Sequence, residues 1–424
     1  MPNTFYNAFD VERPGRQRPS SGEDYRSPFQ IDRDRIIHSA AFRQLQSKTQ
    51  VFFSGEYDFY RTRLTHSIEV AQIGRSLAAR LNQVTPGLSP ERQIDSDLVE
   101  AVCLAHDLGH PPFGHAGERT LHRLMKPYGG FEGNAQTLRL LASTLFNPSR
   151  GMNPTRALID GVLKYKTLFE EVPDQRHHYI YQDQAGWLEF VTGKKPFPDS
   201  LTPGKARNAF KSIECQIMDW ADDTAYSLND ISDGIEAGFI TIDKIERWAE
   251  AGDMSEDDSA SIDALIEAMR DDQVEAFVGR EIGQFIAAAS LEADDRFLAD
   301  QSERHRWSLV VSPMVKSRCK LFKKLSYELV FQTRQLQQLE RKSDFILTRL
   351  FETFGDLYIA QSKPGRDHFR LLPEAEESLI LAEPEEAKRA RMICDHLARL
   401  TDGLASRTYK RLFDADYGSI LDLV

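Results

Sequence analysis

Apolar residues recur along most of the chain at three- and four-residue spacing, so the sequence reads as helical nearly throughout. Residues 67–81 carry Ile68, Ala71, Leu77 and Ala78 on one stripe, and Pro86-Gly87 stops it. Ser96 is the expected N-cap of the run DLVEAVCLAHDLGH, which Pro111-Pro112 closes. Another helix is expected from Gly114 to Met125, ended by Pro127 and Gly129-Gly130. Residues 134–146, 213–231, 315–357 and 387–400 repeat the same period. Strand-like alternation is scarce. Residues 177–181 predict one arm of a small hairpin ahead of 187–190. The run VTGKKPFPDSLTPGK at 191–205 reads as loop, and the acidic stretch 252–272 as a helical connection on the surface. No internal repeat is visible. The expected fold is all-α: a flexible N-terminal arm over 1–30, one large helical catalytic domain over 31–235, and a C-terminal helical region over 236–424 packing on it.

Composition narrows the class. A net charge of −12 repels polyanions, so general nucleic-acid binding is not the default and single-stranded nucleic acid is not indicated as a partner. No apolar run approaches the roughly 18 residues of a membrane span, so no membrane partner is expected. The first 28 residues are rich in Pro, Arg, Ser and Asn and hold no apolar signal core. The four cysteines, Cys103, Cys215, Cys319 and Cys394, form no CxxC pair and fit reduced thiols, so the expected location is the cytoplasm.

Candidate chemistry gathers around histidine. His66 opens one helix, His106 and Asp107 are adjacent near the end of another, and Asp222, Tyr226 and Asp230 recur every four residues on a third. Two imidazoles and two carboxylates suit one divalent cation with positions left for water and a phosphate oxygen. Taken singly, each histidine is more often structural than a ligand, and Asp222 and Asp223 are ordinary solvated charges. The ordered set raises the metal reading. His115 and Glu118 share a helix face close behind Asp107, a pairing suited to general acid or base work; the plain alternative is an exposed pair that stabilises the helix. His110 is left open between a partner to the ligands and a loop residue. Basic residues cluster at Arg33, Arg35, Arg43, Lys48, Arg61 and Arg63, with Arg33 and Arg35 assigned to surface salt bridges and Arg63 placed near the cation by its closeness to His66. Lys164 and Tyr165 add a second cation beside an aromatic ring. The chain has neither a phosphate-binding GxxxxGK[ST] loop nor a GxSxG nucleophile elbow.

The runs FRQLQSKTQVF, RTRLTHSIEVAQIGRSLA, HDLGHPPFGHAGE, GFEGNAQTLRLL, GVLKY, ADDTAYS and RMICDHLARLTDGLA occur in this order. Together they resemble the deoxyguanosine triphosphate triphosphohydrolase family, the dNTPase branch of the HD superfamily. The resemblance implies an all-α HD fold with one divalent metal ion per subunit (Mg²⁺, Mn²⁺, Fe²⁺, Ni²⁺ or Zn²⁺) held by His66, His106, Asp107 and Asp222. It further implies His115 and Glu118 as the catalytic pair, Gln50 and Val51 at the base, Arg63, Lys164 and Tyr165 at the phosphates, and Tyr226 and Asp230 at the sugar and phosphate pocket. Tyr327 matches a tyrosine packed on the deoxyribose. The implied reaction releases a deoxynucleoside and intact tripolyphosphate from a deoxynucleoside triphosphate, and the implied partners are an allosteric nucleotide and other copies of the chain, commonly in a hexamer. Departures at Asn229, at Lys166 and at 398–402 bear on base preference and on the allosteric site, not on the ligands. The competing readings are an HD enzyme acting on a nucleoside monophosphate, cyclic or alarmone nucleotide, and a catalytically weak nucleotide sensor.

Overall fold

The computed structural model describes residues 3–15, 24–50, 61–147, 150–360 and 369–418. The first half is built from α1 (Ala8–Val11), α2 (Pro28–Ile37), α3 (Ala40–Gln44), α4 (Arg63–Val84), α5 (Ser96–Ala105), α6 (Gly114–Met125), α7 (Gly133–Arg139), α8 (Arg156–Val162), α9 (Ala185–Val191), α10 (Lys205–Asn208) and α11 (Ile213–Glu236). There follow α12 (Ile242–Ala251), α13 (Glu256–Arg270), α14 (Val274–Ala287), strands β1 (Ala289–Ala293) and β2 (Trp307–Val311), then α15 (Pro313–Ser326), α16 (Arg334–Phe354), α17 (Glu374–Ala382), α18 (Glu386–Arg399) and α19 (Asp402–Phe413). The fold class is therefore the expected helical one. No helix among the described residues is long and apolar enough to cross a membrane.

Helix α5 is apolar almost all round, with Leu98, Val99, Ala101, Val102, Cys103, Leu104 and Ala105 buried, and it sits amid α2, α4, α8 and α11. Close packing with α4 depends on Gly74, where a Cβ would lie 2.7 Å from Cys103 Sγ. Asp95, rather than Ser96, caps this helix, its carboxylate accepting from the backbone N–H groups of Asp97 and Leu98. Two apolar cores result. One gathers Phe5, α4, α5, α11 and the chain up to Leu336; the other gathers α6, α7, Tyr179–Tyr181 and α16 to α19. The loop after α5 passes from the first core at Leu108 to the second at Phe113.

Gly109 makes that passage possible. A Cβ there would fall 2.2 Å from both Gly133 O and Thr137 N, so only glycine lets the loop press on the start of α7. Replacing Gly109 with Ala should lower unfolding stability by about 3 kcal/mol through overpacking against backbone. Urea melts would show this as a reduced midpoint, and an unmoved midpoint would mean the loop has slack.

Several expectations are corrected. Residues 3–15, expected in the flexible arm, are packed: Phe5 is buried, Asn7 and Asp10 cap α1 reciprocally, and Tyr6 Oη donates to Glu214 Oε1 at 2.8 Å. Residues 177–181 form no hairpin arm, because Tyr179, Ile180 and Tyr181 are buried in succession and Ile180 instead bridges Leu168 in parallel. The hairpin lies elsewhere, with Ala289 paired to Val311 and Ala293 to Trp307. The helix expected over 315–357 breaks at the π-helical turn Tyr327–Phe331 before α16, and residues 134–146 similarly pass from α7 into the π-helical turn Leu140–Thr144.

Candidate metal centre and active-site cavity

Three helices bring the four candidate ligands together. His66 stands in the first turn of α4, behind the Thr62 cap, and its Nε2 lies 3.2 Å from Asp222 Oδ1 on α11. His106 ends α5, where the backbone leaves the helix and lets Asp107 turn to the same side. The His106 Nδ1–H donates to Cys103 O at 2.6 Å. A carbonyl only accepts, so this bond fixes the proton on Nδ1 and leaves a lone pair on Nε2. That Nε2 is buried without a hydrogen-bond partner among the described residues, 3.4 Å from Asp107 Oδ1 and 3.7 Å from Asp222 Oδ1. His66, His106 and Asp107 present ligand atoms all within 4.8 Å of one another. A buried, oriented imidazole lone pair facing carboxylate oxygens is the chemistry of a cation site, so the residues present fit a divalent metal ion.

Electrostatics keep the two carboxylates in their ligating form. Burial alone would raise Asp107 and Asp222, yet His106, His110 and Arg63 hold Asp107 well below the usual carboxylate range, and Lys164 with His66 does the same for Asp222. Arg63 Nη1 donates to Asp107 Oδ2 at 2.5 Å, and Lys164 Nζ donates to Asp222 Oδ2 at 3.0 Å while lying 3.2 Å from Asp219 Oδ1. His110 Nδ1 lies 3.1 Å from Asp107 Oδ1, which places this residue behind the ligand set rather than in a passive loop.

A second group faces the first. Phe113 adopts a left-handed φ of 65° and Gly114 one of 58°, and this kink starts α6 with His115 in its first turn. His115 Nδ1 lies 3.1 Å from Glu118 Oε2, and Glu118 Oε1 accepts the Gly133 N–H at 2.8 Å. His115 remains 59% exposed at its side chain, so its ring can meet a ligand. Burial would raise Glu118, but the bond to His115 and the charge of His110 hold it below the usual range, so it stays an acceptor. The metal-side cavity, about 400 Å³, is lined by Gln50, Arg63, His66, Asp107, His110, His115, Glu118, Lys164, Tyr165, Asp222 and Tyr226. A second cavity of about 450 Å³ shares Gln50, His115 and Tyr226 with it and adds Phe113, Tyr327 and Leu336 as apolar wall.

The remaining sequence candidates divide. Asp230 is buried one turn beyond Tyr226, and burial together with Asp233 raises its carboxyl well above the usual range. Val51 lies outside the described residues. The basic cluster disperses: Arg33 pairs with Asp97, Arg35 donates to Met152 O, Arg43 to His38 O, and Arg61 pairs with Glu69 and Asp233. Lys48 is buried and donates to His110 O at 2.6 Å and Ala398 O at 2.9 Å, so it pins the loop from below instead of facing the cavity. Of the six, only Arg63 lines the metal-side cavity.

Sequence reading also missed several cavity residues, namely Glu132, Asn134, His177, His178, Asp223, Lys323 and Phe331. Asp402 is another residue so missed; its carboxylate accepts the N–H groups of Thr49 and Phe113, each at 2.8 Å, and so ties the Thr49–Gln50 segment to the turn that starts α6. The runs FEGNAQ and LTDG contain three of these residues, yet nothing in their spacing points to the cavity.

Comparison with known proteins agrees with this architecture. Residues 63–227 match the HD domain, a metal-dependent phosphohydrolase domain, and residues 309–411 match the phosphohydrolase-associated domain. A deoxyguanosinetriphosphate triphosphohydrolase-like protein of Shewanella loihica is 35% identical, over 94% of this chain and 96% of its own length. Proteins of the same description from Histophilus somni and Pasteurella multocida are 33% and 34% identical, over 93% and 92% of this chain and 97% and 96% of their own lengths. With its HD core and its associated helical region both matched in order, this chain belongs to the deoxyguanosinetriphosphate triphosphohydrolase-like family of HD-domain phosphohydrolases.

Proposed function

We propose that this protein hydrolyses deoxynucleoside triphosphates, dGTP or several of them, to the deoxynucleoside and tripolyphosphate. The observation that carries the reading is the buried His106 Nε2, oriented by Cys103 O and facing two ionised carboxylates. In this reading His66, His106, Asp107 and Asp222 hold one divalent cation. Such an ion, when bound, would polarise a phosphate oxygen and make the attacking water more acidic.

The chain's own groups supply the rest. Lys164 and Arg63 neutralise the polyphosphate and the Tyr165 hydroxyl contacts it, with Arg63 also orienting Asp107. Tyr226 lines the sugar side with Asp230 buried one turn behind it, and Gln50 faces the base. Water attacks the α-phosphorus as the bond to the 5′-oxygen breaks. His115, held by Glu118 through Nδ1, turns its Nε2 to the cavity and gives that oxygen its proton. The catalytic domain is placed at 31–235, with 236–424 as the helical region packed on it. A homo-oligomer and a second nucleotide site complete the reading by resemblance, and a cytoplasmic location by the four unpaired cysteines.

The test is chromatography of products from each of the four dNTPs with Mg²⁺, Mn²⁺ or Co²⁺. Deoxynucleoside and tripolyphosphate in equal amounts are expected. Release of phosphate or pyrophosphate would move the protein to another HD reaction, and survival of all four substrates would leave a nucleotide sensor.

A further inference from the structure

The turn between α18 and α19 grips the loop that carries the chain from Asp107 to His115, and it grips both ends. At the near end the buried Lys48 Nζ donates to His110 O at 2.6 Å and to Ala398 O at 2.9 Å, so one ammonium joins the loop to the last turn of α18. At the far end Asp402, in the first turn of α19, accepts the Phe113 N–H through Oδ1 at 2.8 Å. Its Oδ2 takes the N–H of Thr49 at 2.8 Å and the Thr49 hydroxyl. Between the two grips stand Pro111 and Pro112, whose rings fix φ. Behind them α6 leaves no slack, since a Cβ on Gly117 would lie 2.0 Å from Pro112 O.

Phe113 is where the grip matters. Its φ of 65° and ψ of 21° are left-handed, a conformation that costs any residue with a Cβ and persists only where neighbours impose it. Phe113 is also the N-cap of α6, and its ring offers no acceptor to the first turn. Gly114 and His115 follow directly, so the Phe113 backbone sets the direction in which α6 departs and where the His115 ring meets Glu118. Asp402 itself is buried, and no cation forms an ion pair with it among the described residues; its charge is answered by two backbone N–H groups and one hydroxyl. A carboxylate buried on those terms is costly, and its visible work is to hold this backbone.

We infer that Asp402 is a positioning residue for His115: from the C-terminal region it holds Phe113 in the left-handed turn that starts α6, and so sets where the imidazole stands. The inference rests on the proposed function for the role of His115 as proton donor, but not for the place of its ring. The test uses the full chain. Asp402→Ala, which removes both acceptors, should lower kcat for the dNTP about 10²-fold, the cost of moving a reacting group by about 1 Å, with KM less affected and metal content kept. Asp402→Asn, of equal size but with one acceptor oxygen, should lose less. In the His115→Ala background Asp402→Ala should cost nothing further, because the ring it acts through is already gone. A purely structural role would subtract the same factor in both backgrounds, and that result would overturn the inference. Crystals of Asp402→Ala should show Phe113 outside the left-handed region and the His115–Glu118 contact broken. A His115 ring in its parental place would overturn the inference whatever the kinetics. Should Asp402→Ala lose its helical circular dichroism, Asp402→Asn carries both comparisons. Failure of the parent to consume any dNTP would count against the proposed function alone, since diffraction still decides what holds His115.

Discussion

His106→Ala protein should carry no tightly bound metal and should hydrolyse dNTPs at least about 10³-fold more slowly than the parent, the equivalent of losing several kcal/mol of transition-state stabilisation. The size follows from the geometry. His106 is the one candidate ligand whose coordinating atom is both oriented by a neighbour and left without another partner among the described residues. Removing the ring leaves Asp107 and Asp222 facing each other with His66 as the sole imidazole between them, a poorer set for any first-row cation. The truncation also opens a space beside Cys103, so stability should fall as well, and circular dichroism separates that effect from metal loss. Full metal content in the variant would remove His106 from the ligand set.

The second large effect is expected at the opposite wall. His115→Ala should retain its metal, since His115 belongs to the separate group with His110 and Glu118. Its kcat should fall by about 10²–10⁴-fold, the usual worth of a positioned proton donor. Because the side chain is 59% exposed, the replacement should change stability by less than about 0.5 kcal/mol. Glu118→Gln should cost less than His115→Ala, as the amide keeps the contact near His115 but no longer accepts with a full charge. Stopped-time product assays at saturating dNTP, run beside metal analysis of the same samples, resolve all three variants. Unchanged turnover in His115→Ala would take it out of the mechanism.

How much of this the amino acids disclose beforehand differs by region. The helices around the site are legible because their periodicity and proline stops agree; α6 begins at Gly114 and ends at Met125 as the pattern implies. His66 and Asp222 are 156 residues apart, and no periodicity links them; the family motifs do, and the fold then brings them to 3.2 Å. Long-range partners hid the rest. The segment around Tyr6 and Asp10 has an arm-like composition, yet it packs because its partners sit at Glu214 and Ser302. Lys48 falls in a basic cluster by its neighbours in sequence, while its partners in the fold are two backbone carbonyls, one of them 350 residues away. Lys323 is invisible for the same reason, since its place at the cavity depends on α15 lying along α11.

The central claim is that one divalent cation sits between α4, α5 and α11, and anomalous diffraction at the metal's absorption edge tests it most directly. A single strong peak is predicted, within about 2.0–2.2 Å of His66 Nε2, His106 Nε2 and a carboxylate oxygen from each of Asp107 and Asp222. A peak held instead by His110, His115 and Glu118, or a metal-saturated crystal with no peak between the two imidazoles, would contradict it.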